Sequence, residues 1–534
     1  MRLSACLLVT VLACVPARAA EEPAGQWIVV TAPAYRDAIE PLCEQRKSQG
    51  LHVTTVQTTD DLAKKEILAG DAEKLRDHIV KLCHGQKGAK YVLLVGAVDP
   101  GGLDEAEKKV LPPLRGSVGR MKGQPTDHGY GDPDQELLPT AAVGRFPARS
   151  VKEAQEMVEK TIAYEKDAKP GEWRRRITVL AGAPAFSPAV DKLVEQMAIS
   201  RLGKLDPTWS GKALYYNPQS RFCVPEDLLR QRATEYIEQG QALTLYLGHS
   251  GPEGFAAGKA RYLDCDDWAK LKIRRGPGVF ATFGCNGCQL TDADNREGYG
   301  LAAMRNPHGP VAVFGSHGVC FAAMVQLASE SLFQDFCGPK PPERLGDAWL
   351  KLQAGLAKGK IDPLSYWLLD KADGDPNIPQ ATQRREHLEM FVLLGDPALR
   401  LPTIPADIKL TVAGQAEPGQ TITVTGQAPE RLAGAKVRLT LERPLTSEPD
   451  DLQPLPQTGE DRAKIMLANH DRANRFVLLE KEVAVKDGRF EVEWKLPAKL
   501  PWPELLIRGY GATERQEAIG VHPLPIVKKT KPIE

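Results

Sequence analysis

The sequence predicts an α/β protein with a mostly parallel sheet covered by helices on both faces, followed by a smaller all-β sandwich. Short apolar runs alternate with amphipathic stretches over about the first 400 of the 534 residues, a pattern typical of repeated strand–helix–strand units. After Leu401-Pro402 the pattern changes to short segments in which apolar and polar residues alternate. The chain is also too long for one compact core, so we expect several domains.

The composition is ordinary for a globular protein. Hydrophobic residues make up 42% of the chain and charged residues 26%, and 69 Lys and Arg balance 69 Asp and Glu. Nucleic-acid binding needs a basic surface, and the longest basic cluster is Arg174–Arg176, directly before a predicted strand. The composition therefore gives no indication of a nucleic-acid partner.

The N-terminal residues have the parts of a secretory signal. Arg2 precedes the apolar stretch Leu3–Val15, and an A-x-A pattern ends at Ala19, after which we expect cleavage. Lipoprotein processing at Cys14 is the alternative, because residues 11–14 approximate that cleavage box. No window approaches the roughly twenty apolar residues that span a bilayer. We therefore predict a secreted, periplasmic or cell-surface protein without a transmembrane segment.

The cysteines do not predict a disulfide scaffold. Without Cys6 and Cys14 in the signal, the ten cysteines of the chain fall to eight, which is sparse for this length. Cys43 and Cys83 occupy apolar positions of helical patterns, so we interpret both as core residues.

The α/β part is built from nine predicted strands and the helical patterns between them. The strands are Ile28–Thr31, Val53–Val56, Tyr91–Val95, Ile177–Ala181, Ala213–Tyr216, Ala242–Leu247, Val279–Phe283, Val311–Phe314 and Phe391–Leu394. Helices are predicted over Asp71–Leu82, from a capping box at Ser150 and Glu153 to Tyr164, and over Asp266–Ile273.

The C-terminal part is predicted as a small β-sandwich. Its strands are Thr421–Thr425, Val437–Leu441, Phe476–Leu479, Phe490–Trp494 and Leu505–Arg508, with a hairpin-type turn at Asp487-Gly488. The Pro- and acid-rich segment Pro444–Asn474 is predicted as a long loop. The predicted divisions are a signal peptide (1–19), two α/β subdomains (20–170 and 171–403) and the sandwich (404–534).

Two predicted strands end in reactive side chains. Residues 243–247 lead into Gly248-His249-Ser250, and residues 278–283 lead into Gly284-Cys285, with a helical stretch between them. Such a crossover makes the two strands parallel and usually adjacent, about 4.8 Å apart. We therefore expect His249 and Cys285 to lie near contact at the edge where open α/β sheets bind ligands.

A cysteine and a histidine in this arrangement can catalyse acyl transfer. A thiolate attacks carbonyl carbon, so a neighbouring imidazole can hold Cys285 ionised and later protonate the leaving amine. The small Gly248 and Gly284 allow close approach of a substrate. The N–H groups of Cys285 and of Ser250 or Gly251 are candidate oxyanion donors.

Over residues 27–402 the sequence resembles the gingipain family of cysteine peptidases, a branch of the caspase-like clan. The matching motifs, in order, are Ile28–Pro33 with a following helix to Gly50, Tyr91–Gly96, Val143–Pro147 before a helix ending at Glu165, the two reactive motifs, and Leu393–Pro397. The resemblance implies a caspase-like fold, protein or peptide substrates, His249 as general base and Cys285 as nucleophile. The segment after about Pro405 resembles the immunoglobulin-like module that often follows this peptidase domain.

Two positions depart from the family's pattern. The family usually has Gly directly after the catalytic His, where this chain has Ser250, and tends to have Gly three residues beyond the nucleophile, where this chain has Cys288. The best-known members cut after basic residues, and the sequence alone assigns no acidic residue to that pocket.

Four other interpretations of these motifs stay open. Cys285-Asn-Gly-Cys288 has the C-x-x-C spacing of thiol–disulfide oxidoreductases. Ser250 lies in a near match to a nucleophile elbow, although Pro252 stands where the last Gly belongs. His317, at the end of another predicted strand, is an alternative base. The chain can also be a catalytically silent caspase-like scaffold whose sandwich binds a partner.

Metal-binding motifs are weak. A zinc site is not indicated, because there is no second C-x-x-C and no close His pair. Asp127, Asp132 and Asp134 lie in an acidic, Gly-containing loop and are calcium candidates. Asp396, before Pro397, is expected to shape a turn. The sequence thus predicts a secreted cysteine endopeptidase that forms a thioester through Cys285 and His249 and requires no cofactor.

Overall fold

The structure of the chain is a computed structural model. It describes residues 25–58, 72–85, 87–98, 111–132, 138–182, 188–257, 260–291, 296–375 and 377–527. The predicted signal peptide and the calcium candidate Asp134 lie outside these residues. None of the described helices is long and apolar enough to cross a membrane.

The strands of the α/β part include all nine that the sequence predicts. In chain order they are β1 (Gly25–Thr31), β2 (Leu51–Gln57), β3 (Ala89–Val95), β4 (Leu114–Arg115), β5 (Pro125–Thr126), β6 (Ala142–Phe146), β7 (Arg176–Gly182), β8 (Ser210–Tyr216), β9 (Gln241–Leu247), β10 (Ser250–Gly251), β11 (Gly254–Ala257), β12 (Ala260–Asp264), β13 (Pro277–Phe283), β14 (Ala312–Ser316) and β15 (Phe391–Leu394).

The helices of this part lie between the strands in sequence. They are α1 (Arg36–Ser48), α2 (Ala72–Cys83), α3 (Val151–Lys166), α4 (Pro188–Leu202), α5 (Leu229–Glu238), α6 (Cys265–Lys270), α7 (Tyr299–Arg305), α8 (Ala322–Phe336), α9 (Leu345–Lys358), α10 (Pro363–Asp373) and α11 (Gln380–Met390). The N-cap at Ser150 is confirmed, since its hydroxyl accepts the Glu153 N–H at 3.2 Å.

Ten strands form one large sheet in the order β2-β1-β3-β6-β15-β14-β13-β9-β7-β8. All neighbours in it are parallel except β14 and β15, which are antiparallel. The sheet therefore consists of two parallel blocks of five strands, and their carboxyl ends lie at opposite edges. The mostly parallel α/β architecture predicted from the sequence is confirmed.

Helices cover both faces because alternate strand residues point to opposite sides. In β1, Trp27 and Val29 belong to the same core cluster as Ile39 of α1. Ile28 and Val30 pack on the other face in a cluster with Leu75 and Ile79 of α2. The near-continuous apolar runs of these strands thus fit burial on both sides.

Strand β6 is missing from the sequence-predicted strands because its apolar run is interrupted. Gly144 and Arg145 stand at its centre, yet every residue of the strand is buried. The guanidinium of Arg145 donates to both carboxylate oxygens of Asp127, at 2.8 and 2.7 Å. A buried charge is tolerated in a strand when a partner of this kind is present.

The C-terminal part contains two antiparallel sheets around one apolar cluster. Its strands are β16 (Lys409–Val412), β17 (Thr421–Gln427), β18 (Lys436–Glu442), β19 (Val477–Ala484), β20 (Arg489–Lys495), β21 (Glu504–Ala512) and β22 (Glu517–Pro525). The predicted turn is confirmed, since Asp487 and Gly488 have φ angles of 49° and 71°. The immunoglobulin-like assignment of this part stays a prediction.

The prediction that Pro444–Asn474 is only a long loop is wrong. Residues Asp461–Ala473 form helix α12. His470 on this helix contacts the hydroxyl of Tyr236 at 2.7 Å and the carbonyl of Phe222 at 2.8 Å. The flanking residues are rich in proline, so the segment as a whole resembles a loop in composition. Within it lies a helix whose buried face packs on the α/β part.

Candidate active site

His249 and Cys285 follow neighbouring strands, and each lies the same number of residues beyond its strand. Strands β9 and β13 are parallel and adjacent, with Leu247 paired to Phe283, so each reactive residue lies two positions beyond that pair. The predicted adjacency of the two strands is confirmed. Both side chains line one cavity of about 220 Å³ at the carboxyl edge of this block.

The turn that carries His249 depends on glycine. Gly248 has a φ of +148°, and a Cβ at this position would lie 2.8 Å from the amide nitrogen of Gly182. The hydroxyl of Tyr246 donates to the carbonyl of His249 at 2.5 Å. These contacts fix the backbone, while the imidazole itself stays exposed to solvent.

The turn that carries Cys285 is closed by the residue after it. Asn286 is in the left-handed region with a φ of +57°, a conformation that Asn adopts more readily than most side chains. Its N–H donates to the carbonyl of Gly318 at 2.9 Å. The chain therefore bends sharply after β13 and leaves Cys285 half-buried in the cavity wall.

Ser250, where the family usually has Gly, connects the two turns. Its hydroxyl donates to the carbonyl of Cys285 at 2.7 Å and accepts from the hydroxyl of Tyr299 at 3.3 Å. Tyr299 is in turn hydrogen-bonded to Thr282 at the end of β13. The serine hydroxyl fills the space beside Gly284, where a Cβ would lie 2.1 Å from it.

The surroundings of Cys285 favour the neutral thiol in the free protein. Burial raises the pKa of the Cys285 thiol, and the carboxylate of Asp373 raises this pKa further. The N–H of Cys320 and the guanidinium of Arg120 lower it, but less than burial raises it. The expectation that His249 keeps the sulfur ionised before substrate binds therefore has no support in this pKa.

Asp373 is a functional candidate that the sequence analysis missed. It is the last residue of α10 and lines the same cavity as His249 and Cys285. Burial raises the pKa of its carboxyl above the usual value, and positive charge on His249 and the N–H of Ala322 offset only part of this rise. No pattern in the sequence could have identified it, because it comes from a helix end rather than from a strand end of the block.

The alternative residues for the chemistry lie elsewhere or are already bound. Cys288 is fully buried, does not line the cavity and forms no disulfide with Cys285. His317 is buried, and its Nδ1 accepts the N–H of Leu290 at 2.8 Å. Ser250 leads into the hairpin β10–β11 rather than into a helix, so the nucleophile-elbow context is absent.

The calcium candidates within the described residues have protein partners. Both carboxylate oxygens of Asp127 accept hydrogen bonds from Arg145. Asp132 lies 3.5 Å from Nε2 of His128. In the part of the chain that the structure describes, no group of three or more His, Cys, Asp or Glu side chains could hold a metal ion.

The fold is a mostly parallel α/β sheet with a cavity at the carboxyl edge of one block, the place where open sheets of this class bind ligands. The model of peptidase family C25 matches residues 20–402, which is well over half of the chain. The chain therefore belongs to peptidase family C25, the gingipain-type family expected from the sequence, and is a cysteine peptidase.

Solved structures agree with this fold. The complex of the pro- and mature domains of Porphyromonas gingivalis RgpB is 14% identical, with a TM-score of 0.54, and covers 94% of this chain and 100% of its own. The Arg-specific cysteine proteinase gingipain R is 14% identical to this chain, with a TM-score of 0.53. The match covers 95% of this chain and 99% of the gingipain R chain. At this identity the likeness shows the fold alone. No curated protein matches the chain.

Proposed function

We propose that the chain is an exported cysteine endopeptidase in which Cys285 is the nucleophile and His249 the general base and acid. The observation that carries this proposal is the position of the two residues. Each lies two residues beyond a paired position of adjacent strands, and both line the same cavity. This arrangement gives the thiol and the imidazole access to one substrate carbonyl.

Burial raises the pKa of the Cys285 thiol, so in the proposed mechanism proton transfer accompanies attack. His249 takes the thiol proton while the sulfur bonds to the carbonyl carbon and the π electrons move to the oxygen. Collapse of this intermediate breaks the C–N bond, and the imidazolium of His249 protonates the departing amine. A water molecule then attacks the thioester carbon while His249 takes one of its protons. Collapse of this second intermediate breaks the C–S bond and releases the acid, and the thiolate of Cys285 takes the proton back from the imidazolium.

Asp373 supports this cycle by its charge. The imidazole becomes an imidazolium in each half of the reaction, and a nearby carboxylate stabilises that cation. Asp373 is held in place at the start of α8, where the N–H of Ala322 donates to its carboxylate. We therefore assign Asp373 the role of orienting and stabilising His249.

The proposed oxyanion donors are the backbone N–H groups of Cys285 and Ser250. Gly251 and Gly254 pair across the two-residue loop of the β10–β11 hairpin, and Ser250 pairs with Phe255 one step further. Successive antiparallel pairs alternate between bonded and non-bonded, so the Ser250 N–H is expected to point away from β11. The hydroxyl bond from Ser250 to Cys285 supports a fixed spacing between the two donors.

Export and the absence of a required cofactor belong to the same proposal. The signal-like residues 1–19 direct secretion, with lipoprotein anchoring at Cys14 as the alternative. The mechanism uses only side chains and backbone groups. Calcium binding by the loop of Asp127 and Asp132 stays a prediction, which peptidase assays with and without a chelator would test.

Replacement of the nucleophile tests the function directly. Cys285→Ala is expected to reduce peptide hydrolysis at least about 10³-fold, because it removes the group that forms the thioester. Cys83→Ala, a half-buried cysteine outside the cavity, is the control and should retain turnover. Unchanged hydrolysis by Cys285→Ala would refute the assignment. A wild-type protein that cleaves no peptide would instead indicate a silent scaffold.

A further inference from the structure

The cavity beside Cys285 and His249 continues under helix α4. Its walls come from strands β7 and β8, from α4 and from α8, and they are mainly apolar. The principal apolar contributors are Val179, Ile199, Leu202, Tyr215, Phe283 and Val325. Its volume of about 220 Å³ exceeds the roughly 150 Å³ of an apolar cavity that binds benzene, so it has room for one large side chain.

Helix α4 contributes two oppositely charged side chains to the described cavity wall, Glu195 and Arg201, and each has a polar neighbour. Glu195 accepts a hydrogen bond from the hydroxyl of Ser220 at 2.6 Å. Arg201 lies 3.9 Å from a carboxylate oxygen of Glu330, and burial lowers the pKa of its guanidinium. A cationic substrate side chain would meet Arg201, and an anionic one would meet Glu195 and Asp373. The charge of Asp373 is assigned to His249 in the proposed function, so neither sign of substrate charge is favoured.

One uncharged polar group in the described wall, the side chain of Gln326, is better suited to a neutral ligand. The side-chain oxygen of Gln326 is buried and has no hydrogen-bond partner among the described residues. A buried amide oxygen without a partner is costly, and a substrate hydroxyl can satisfy it by donating its O–H. Tyrosine therefore fits this wall as well as an aliphatic side chain does.

We propose that this cavity binds the substrate side chain on the amino side of the scissile bond and selects a large uncharged one, such as leucine, methionine, phenylalanine or tyrosine. The inference rests on the proposed function of Cys285. Cys285 is part of the cavity wall, and the residue whose carbonyl the sulfur attacks has its Cα one bond from that carbonyl carbon. Its side chain is therefore the nearest to the cavity.

A peptide library that varies this substrate residue, cleaved by the purified full chain under reducing conditions, tests the proposal. Large uncharged residues are expected to give kcat/KM values at least about tenfold above alanine and above arginine, lysine, aspartate or glutamate. Preferred cleavage after a charged residue would overturn the proposal. In particular, if the wild-type chain cleaves after arginine or lysine and this cleavage is slower in Glu195→Gln, Glu195 recognises a basic side chain.

Variants that fill the cavity provide a second test. Ala198→Phe on α4 and Val325→Phe on α8 place additional volume in the walls formed by these two helices. Each is expected to reduce cleavage after leucine or phenylalanine about tenfold or more, while cleavage after alanine changes less than about threefold. Ser200→Phe, at an exposed position of α4, is the matched control and should leave both rates unchanged.

The outcomes separate this inference from the proposed function. Cleavage that depends on Cys285 but shows the same preference in both filling variants would overturn only the cavity assignment. Cleavage that persists in Cys285→Ala, or no cleavage of any library member by the wild-type chain, would overturn the proposed function and this inference with it.

Discussion

The two blocks of the large sheet use the same backbone turn for opposite purposes. Strand β15 of one block is followed by Gly395-Asp396, and strand β9 of the other is followed by Gly248-His249. The glycines have φ angles of +140° and +148°, so each places the next residue beyond the strand end in a similar way. Asp396 is buried and held by Arg46 and Trp27, whereas His249 faces an open cavity.

The difference lies in what surrounds the ionisable group. The carboxylate of Asp396 accepts from the Trp27 ring at 2.9 Å, from Arg46 at 2.8 Å and from the N–H of Ala398 at 2.9 Å. The predicted turn at Asp396 is confirmed by the last of these. A group with all its bonds satisfied stabilises the fold and is unreactive, whereas His249 and Cys285 are left accessible to a substrate.

The largest expected effect comes from removing the buried arginine that holds Asp396. Arg46→Leu removes the partner of both Asp396 and Glu165, and Arg46 is itself fully buried. The loss leaves two buried carboxylates unpaired, so the free energy of unfolding should fall by about 3–5 kcal/mol. Urea unfolding measures this change, and turnover per correctly folded molecule should remain near the wild-type value.

The control is an exposed ion pair on the same helix. Arg36 lies 3.4 Å from Glu40, and both side chains are more than 40% exposed. Arg36→Ala should change the free energy of unfolding by less than about 1 kcal/mol. Equal effects of the two substitutions would contradict the view that Asp396 belongs to a structural cluster.

The next effect concerns the outer edge of the block that carries the cavity, where α12 packs. Burial lowers the pKa of His470 from 6.5 to about 4. The unfolded chain therefore binds a proton that the folded chain does not, and the stability present above pH 6.5 is lost as the pH falls from there toward 4. The maximum loss is about 3 kcal/mol.

Urea unfolding as a function of pH checks this prediction. His470→Gln should be less stable at neutral pH and should show a shallower decline between pH 6.5 and about 4. The buried His387, whose pKa is lowered to about 3, leaves part of the decline in place. The exposed His52 provides the control His52→Gln. An unchanged slope in His470→Gln would refute the role of this imidazole.

These contrasts also explain how far the sequence could predict the structure. The strands were recognisable because their apolar runs are nearly continuous, and the crossover rule placed β9 beside β13. Strand β6 was not recognisable, because the charge of Arg145 becomes acceptable only through Asp127. Helix α12 has a buried face that packs against another part of the chain, which a local composition does not show.

The candidate site divides in the same way. His249 and Cys285 could be predicted because each follows a strand, and parallel neighbours end together. Asp373 and the charges of Glu195 and Arg201 could not be assigned, because they reach the cavity from helices. The position of a helix over a sheet depends on tertiary packing, which no local pattern encodes.

Asp373→Asn tests the chemistry at His249. Its effect on catalysis, expressed as a free energy, should be smaller than the effect of losing Arg46 on the free energy of unfolding. Removal of the carboxylate leaves the imidazolium of His249 less stabilised, so kcat/KM should fall about 10- to 100-fold. The same carboxylate raises the pKa of Cys285. The midpoint pH for alkylation of Cys285 by iodoacetamide should therefore be lower in this variant. The thiol thus becomes more reactive toward iodoacetamide although peptide hydrolysis becomes slower.

Asp370→Asn is the matched control, since Asp370 lies one turn earlier on α10 and does not line the cavity. It should alter neither the alkylation profile nor kcat/KM by more than about twofold. A fall in activity without any shift in alkylation would indicate that Asp373 acts only through the fold, which would contradict its placement beside the sulfur and the imidazole.

The smallest expected effect concerns Ser250, which joins the two turns of the open site. Ser250→Ala removes the hydroxyl that binds the Cys285 carbonyl, a bond worth about 1 kcal/mol, so kcat/KM should fall less than about tenfold. Ser250→Gly restores the residue usual in the family but also removes that bond and adds backbone freedom, so it should be no more active than Ser250→Ala. Greater activity in Ser250→Gly than in the wild-type chain would show that the serine obstructs the oxyanion donor rather than supporting it. The turnover of these two variants against one peptide therefore decides whether the bond between the turns assists the reaction.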